Sequence, residues 1–256
     1  MPDIKEQTAS HRSIRKYRSE PISNDMLRRI LEAGITASNT GNMQVYSMIV
    51  TKDAVLRSQL WDVHFRQDMV LQAPVHITFC ADVNRFSKWC RARKAEPAYE
   101  NLLWFYNAAI DASLASQNVA LAAESFGLGI CYLGTVAYNA GRIIDILKLP
   151  KGVIPITALT MGFPDEQPPL TGRLPFEAVV HHETYQDYTD EEIDRLYADL
   201  EATEQTRQLL EINQKETLAQ VFTENRYTQK ANEAASLSYM EAMKRQGFLG
   251  ELRIEN

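Results

Sequence analysis

Near the N-terminus, His11-Arg12-Ser13-Ile14-Arg15-Lys16-Tyr17 gathers three strong bases and a serine in a chain whose formal net charge is −6. Arginine carries five donors in a planar fork that suits phosphate oxygens, and serine adds another. Two geometries are open to the run. Extended, Arg12, Ile14 and Lys16 share one face and Ser13, Arg15 and Tyr17 the other. At a turn or helical start, Arg12 and Arg15 converge three residues apart and form an anion cradle.

Amides come next. Asn42 and Gln44 stand two apart at a loop-to-strand junction, where they can read the donor and acceptor edge of a heterocycle or brace a turn. Gln67 precedes an apolar run and is open to the same two readings. The stretch Gly127 to Gly134 is rich in glycine, but a dinucleotide fingerprint needs a third glycine where Tyr132 stands, with a helix directly after it. It reads instead as a helix stop followed by a strand whose backbone a flat ligand can approach. His181-His182 lacks a partner at metal-ligand spacing. No G-x-S-x-G elbow occurs, and Cys131 in its apolar setting reads as inert core. Hydrolase and metal-enzyme chemistry therefore have little support.

The elements that would position these residues follow from hydrophobic period and caps. Ser23 caps a helix whose apolar face is Leu27, Ile30, Leu31 and Gly34, and loop residues 38–42 follow it. Strands are expected at 45–51, 75–81, 130–134 and 153–162, rich in β-branched residues. Lys52-Asp53 opens a short helix, Asp82 caps another, and a further one runs from about Asn139 to Leu147. From about Tyr99 to Phe126 lies the longest helical signal, its middle small and apolar, which calls for burial on most sides. A single charged helix is expected at 190–210, and a polar helical tail without a core of its own at 215–246. Strands alternating with helices argue α/β or α+β.

At 256 residues the chain can bury a sizeable core. Its acidic balance argues against a general nucleic-acid binder. Three cysteines, an odd number without metal spacing, argue for a reducing compartment. The polar start has no signal-peptide pattern, and no apolar run is long enough to span a membrane. A cytoplasmic protein without a membrane or nucleic-acid partner is expected.

Taken in order, the motifs resemble one family. His-Arg-Ser-Ile-Arg at 11–15 with Glu20-Pro21-Ile22 resembles the N-terminal signature of FMN-dependent nitroreductases. Residues 38–44 resemble that family's P-S-x-x-N-x-Q loop, and 122–134 its A-A-E-x-x-G-L-G segment. Leu147-Lys148-Leu149-Pro150, Met161-Gly162-Phe163-Pro164 and Gly172-Arg173-Leu174-Pro175 complete the pattern. The resemblance runs from about residue 8 to 188 and is closest to the larger, often NADPH-preferring branch of nitroreductases and flavin reductases.

The resemblance implies an α+β fold with a central mixed β-sheet flanked by helices, and a C-terminal helical extension clasping the partner subunit. Residues 1–188 would be the FMN-binding core and 189–256 the extension of the same dimeric unit. Arg12, Ser13 and Arg15 match positions holding the FMN phosphate and nearby ribityl and ring atoms, with His11 a neighbour. Arg173 matches a second phosphate arginine. Asn39, Thr40 and Asn42 match a loop reaching the flavin of the partner in a homodimer. Gln67 matches a glutamine at the flavin edge. Tyr132, Leu133, Gly134 and Thr135 match backbone that covers one ring face and donates toward N5. No side chain is implied as a catalytic acid.

The implied activity moves a hydride from NADPH or NADH through FMN to a nitroaromatic, quinone or flavin acceptor, in ping-pong order. The alternatives are a flavin-binding sensor or storage protein and a specialised reductive reaction. Two features depart from the branch. Thr171 stands where a lysine is frequent, and the tail has only scattered Arg207, Lys215, Arg226 and Lys230 where that branch clusters arginines for the coenzyme's extra phosphate.

Overall fold

The computed structural model describes residues 3–250. Its chain divides into two units, one of residues 1–169 with 235–256 and the other of 170–234. This division differs from the boundary expected after residue 188. The reason lies in the last helix, whose later turns pack into the first unit: Ala242, Met243 and Phe248 are buried there with Val45, Ala81 and Ile154.

In the first unit, Ile4–Ala9 (α1) and Asn24–Ile35 (α2) precede Tyr46–Thr51 (β1). Ala54–Val63 (α3), Met69–Gln72 (α4), Val75–Asp82 (β2) and Asn84–Ala92 (α5) follow. Then come Leu102–Ser125 (α6), Gly129–Tyr132 (β3), Ala140–Ile146 (α7) and Val153–Gly162 (β4). Side chains set several starts: Ser23 accepts from Met26 N, Asp53 from Leu56 N and Asp82 from Arg85 N.

The sheet order is β1-β2-β4-β3, and the paired strands run antiparallel. The parallel component of the expected mixed sheet is the single bridge Ser13–Ile130 at its β3 edge. β2 is buried along its whole length, including the polar His76, Thr78 and Asp82 that interrupt its apolar residues. Val75, Ile77 and Phe79 pack into one cluster with Ala112, Ala115 and Val119 of α6 and Ile30 of α2. A second cluster joins Ile14 and Tyr17 with Leu60, Val63, Cys131 and Leu133.

α6 buries Ala108, Ala112, Ala115 and Ala120 on the face toward the sheet and α2. Small side chains there let the elements approach closely, and Gly34 continues the pattern: a Cβ on it would lie 2.6 Å from Val119 Cγ2. The opposite side of α6 exposes Leu103, Tyr106, Ile110 and Leu114, spaced three and four apart. The burial on most sides expected from the sequence is thus met on one side within this chain.

The second unit contains Asp190–Glu201 (α8), Glu204–Asn213 (α9) and Leu218–Gln220 (α10), with a π-helical turn at Val221–Arg226. Gln229–Gln246 (α11) begins in this unit and ends in the first. The single helix expected at 190–210 is two. Thr203 breaks it: its hydroxyl donates to Leu200 O at 2.9 Å and accepts from Thr206 N at 3.1 Å, ending one helix and capping the next.

Candidate functional site

The basic run takes the extended geometry, held against β3 and β4. Ile14 N donates to Ile130 O at 2.9 Å and Arg18 N to Phe163 O at 2.9 Å. Ile14 and Tyr17 are both buried, so strict two-residue alternation fails between them. Tyr17 OH lies 2.6 Å from Ile14 O and 2.8 Å from Thr160 Oγ1, and burial pushes its phenol above the ordinary range.

Two glycines opposite each other in the β3–β4 pairing make room for this segment. A Cβ on Gly129 would lie 2.6 Å from Ile14 Cγ1. A Cβ on Gly162 would lie 2.9 Å from Tyr17 Cδ1 and 2.6 Å from Pro74 Cδ. All three separations are shorter than real Cβ contacts, so a side chain at either position would force its neighbours to move.

The turn-type convergence of Arg12 and Arg15 is not formed, because the strand-like pairing to Ile130 fixes the run as extended. Arg12 donates from Nε to Pro168 O at 2.9 Å and from Nη1 to Ser10 O at 3.0 Å. His11 Nδ1 lies 2.5 Å from Glu124 Oε1. Arg12, His11, Arg18, Glu124 and Glu166 line a cleft of about 420 Å³, within the range of small-ligand sites.

Arg15 is different. Its backbone N donates to Glu166 Oε1 at 2.5 Å, as does Lys16 N at 3.1 Å. Its guanidinium is exposed and finds no acceptor among the described residues. It lies close enough to act electrostatically on the Cys131 thiol, which also meets the Ser13 hydroxyl. Burial nevertheless raises that thiol above its ordinary range, so Cys131 stays protonated.

β3 then leads out of the sheet. Tyr132 OH lies 3.1 Å from Ser116 Oγ, and Leu133 N donates to Ala158 O at 2.8 Å. Gly134 is exposed, and a Cβ there would meet nothing within 4 Å. Thr135 Oγ1 lies 2.7 Å from Nδ1 of the buried His64, and Gln67 Nε2 donates to His64 O at 3.0 Å. Two candidates far apart in sequence, Gln67 and Thr135, therefore meet at one histidine.

The loop of Asn39, Thr40 and Asn42 is organised elsewhere. Buried Asp111 of α6 accepts from Thr40 N at 2.8 Å, Thr40 Oγ1 at 3.1 Å and Val45 N at 3.3 Å. Asn39 Oδ1 accepts from Gln44 N at 3.3 Å, and Asn42 Oδ1 from Gln44 Nε2 at 3.2 Å. Gly41, Asn42 and Gln44 all have positive φ, which turns the chain sharply. No hydrogen bond joins this loop to the 11–15 run or to Gln67 and Thr135 among the described residues. In the second unit, exposed Arg173 donates only to the nearby carbonyls of Thr171 and Gly172.

Sequence reasoning missed His64, His76, Asp111, Glu124 and Glu166. The signal for two of them was available: a histidine inside the apolar run Val75-His76-Ile77 and an aspartate inside the apolar helix 108–123 must find buried partners. His181 pairs with Tyr188 OH at 3.1 Å. No group of three or more metal-binding side chains occurs among the described residues. Nor is any described helix long and apolar enough to cross a membrane.

A family profile described as the Nitroreductase family matches residues 8–163. An oxygen-insensitive NADPH nitroreductase of Salmonella typhimurium is 36% identical over 181 residues, 71% of this chain and 74% of that protein. An FMN reductase [NAD(P)H] of Bacillus subtilis is 35% identical over 196 residues, 72% of this chain and 75% of its own length. Among solved structures, one from Bacteroides fragilis superposes with a TM-score of 0.94 at 48% identity, covering 96% of this chain and all of its own. An NADPH:FMN oxidoreductase of Vibrio harveyi in complex with NAD+ gives 0.80 at 26% identity, covering 96% and 98%.

Proposed function

The chain belongs to the nitroreductase family, and on that premise we propose that it is an FMN-dependent oxidoreductase using NADPH or NADH to reduce a small acceptor, a nitroaromatic, quinone or flavin. The observation that carries the reading is the Arg15 guanidinium, exposed and without an acceptor beside Ser13 and Cys131. A cation left unpaired beside a strand end with open backbone suits an anionic, flat ligand. The donor set fits FMN on the same grounds: guanidinium and hydroxyl donors for the phosphate, the Gln67 amide for a ring edge, and at Gly134 a backbone no side chain covers.

When bound, FMN supplies the N5 atom that takes a hydride from the nicotinamide and passes it on. The protein's part is position and electrostatics. Arg12, Ser13 and Arg15 would hold the phosphate. Leu133 N donates to Ala158 O, which fixes the strand exit from which the Gly134–Thr135 backbone would donate toward the ring. Coenzyme and acceptor would then meet the same flavin in turn, the ping-pong order. Asn39, Thr40 and Asn42 complete the partner's site in a homodimer.

The three cysteines are free and buried, in keeping with a cytoplasmic setting. Anaerobic mixing of FMN-loaded protein with NADPH or NADH tests the reading. The flavin absorbance should bleach at a useful rate and return on adding an acceptor. Protein that binds no FMN, or flavin that neither coenzyme bleaches, would sink it.

A further inference from the structure

We infer that His76 and His64 form a buried hydrogen-bond relay that sets the Thr135 hydroxyl as a donor toward the ring of the bound flavin, an inference that rests on the flavin reading above. His64 and His76 are both fully buried, on the end of α3 and within β2. Their Nε2 atoms lie 3.3 Å apart, and His64 Nδ1 lies 2.7 Å from Thr135 Oγ1. Nδ1 of His76 is buried and has no partner.

Burial holds both imidazoles neutral, His64 at about 4 and His76 at about 3, with His64 and Arg57 adding to the effect on His76. Each ring then carries one N–H and one bare nitrogen. Only two arrangements complete both contacts. In the first, His64 Nε2–H donates to His76, and His64 Nδ1 consumes the Thr135 proton. His76 must then carry its own N–H on Nδ1, an orphaned donor in the core.

In the second, His76 Nε2–H donates to His64 Nε2, and His64 Nδ1–H donates to Thr135 Oγ1. The atom left over is a bare nitrogen on His76. Buried N–H groups without a partner are the rarer and worse defect, under-used acceptors the more tolerated one. The second arrangement therefore holds. It leaves the Thr135 proton uncommitted, since this hydroxyl has no further partner among the described residues.

Thr135 is partly exposed and directly follows open Gly134. Its proton is thus free to be donated to a ligand, while its oxygen is anchored by His64. The same His64 also holds Gln67 through its carbonyl. One buried residue thus positions both side chains that the flavin reading would bring to the ring edge. His64 and His76 are positioning residues, since neither touches the ligand.

Two measurements test this. In protein without flavin, the 15N shifts of labelled histidine should show His64 protonated on Nδ1 and His76 on Nε2. The reverse assignment overturns the relay whatever the ligand. Second, FMN and riboflavin share the ring, so Thr135→Val should weaken both equally, by about threefold to tenfold, the worth of one neutral hydrogen bond.

Thr135→Ser should restore the affinity. His76→Phe should reproduce the loss with the hydroxyl still present, and the double variant should lose no more than either alone. A Thr135→Val protein that binds both flavins as the unmodified chain does overturns the inference and spares the function. An unmodified chain that binds neither flavin overturns both.

Discussion

Gly129 and Ile14 compete for one volume: a Cβ on the glycine would stand 2.6 Å from Cγ1 of the isoleucine. The N-terminal run lies against β3 only because the strand gives up its side chain there. Gly129→Ala should cost about 1–3 kcal/mol, the usual penalty for overpacking a filled core. FMN binding should weaken with it, as the 11–17 run is pushed off the strand. Adding Ile14→Ala should recover part of the melting temperature. Equal stability of Gly129→Ala and the unmodified protein in urea would refute this packing.

Arg15→Ala should lower FMN affinity about tenfold to a hundredfold, the loss of charge-assisted hydrogen bonds worth roughly 1.5–3 kcal/mol. The fold should not change, because no group in the described residues depends on that guanidinium. Arg12→Ala should lose comparable affinity but also some stability, since Arg12 donates to Pro168 and Ser10 carbonyls. Riboflavin binding, measured by fluorescence quenching, should be weak and indifferent to either change. Full FMN affinity in Arg15→Ala would remove the phosphate role.

Asp111→Asn should loosen the 39–45 loop. The carboxylate accepts from three donors, and an amide turns one acceptor into a clashing donor. About 1–3 kcal/mol should be lost from a buried donor left without an acceptor. Limited proteolysis near Gly41 should speed up in parallel. An unaltered cleavage rate would show that the loop is held by other means.

Acid should destabilise the protein through the paired histidines. Both have folded pKa values below the ordinary 6.5, His64 at about 4 and His76 at about 3, because burial disfavours the charged ring. Between these values and 6.5 the unfolded chain binds more protons, so stability rises with pH there. The contribution is complete above about pH 6.5 and is lost as pH falls toward 4 and then 3. For His64 it is on the order of 3 kcal/mol. Urea midpoints at pH 7.5 and 5 should differ accordingly, and His76→Phe should flatten the slope. A midpoint independent of pH across that window would contradict the burial assigned to both rings.

The exposed stripe Leu103, Tyr106, Ile110 and Leu114 on α6 is the surface on which a second copy of the chain should pack. Light scattering of FMN-loaded protein should give about twice the 29.1 kDa of one chain. Ile110→Glu with Leu114→Glu should yield monomers that release FMN. A single-chain mass for the unmodified, flavin-bound protein would exclude a shared site.

The four strands and the central helix were legible because their residues are committed locally: β-branched runs at 46–51 and 153–162, and small apolar residues through 108–123. The 11–17 run was not decidable locally. Its extended form is imposed by Ile130 and by a pair of glycines more than a hundred residues away. The split at Thr203 turned on one hydroxyl serving both helix ends, which periodicity does not register. The tail read as lacking a core buries Leu218 and Val221 before residue 234. Beyond it Phe248 is fully buried, and Gln246 Nε2 donates to Pro150 O at 2.9 Å. His64, which holds Thr135 and Gln67, and Asp111, which holds Thr40, carry no motif.

Because residues 235–250 return to the first unit's core, the stretch 170–234 is an excursion moored at both ends. A nick within it leaves the C-terminal piece without a covalent tie, yet still gripped by Phe248 and Gln246. The two fragments should therefore copurify and reassemble from separate expression. That makes the 170–234 stretch a place where sequence can be exchanged, lengthened or interrupted while the sheet goes on folding around the same tail.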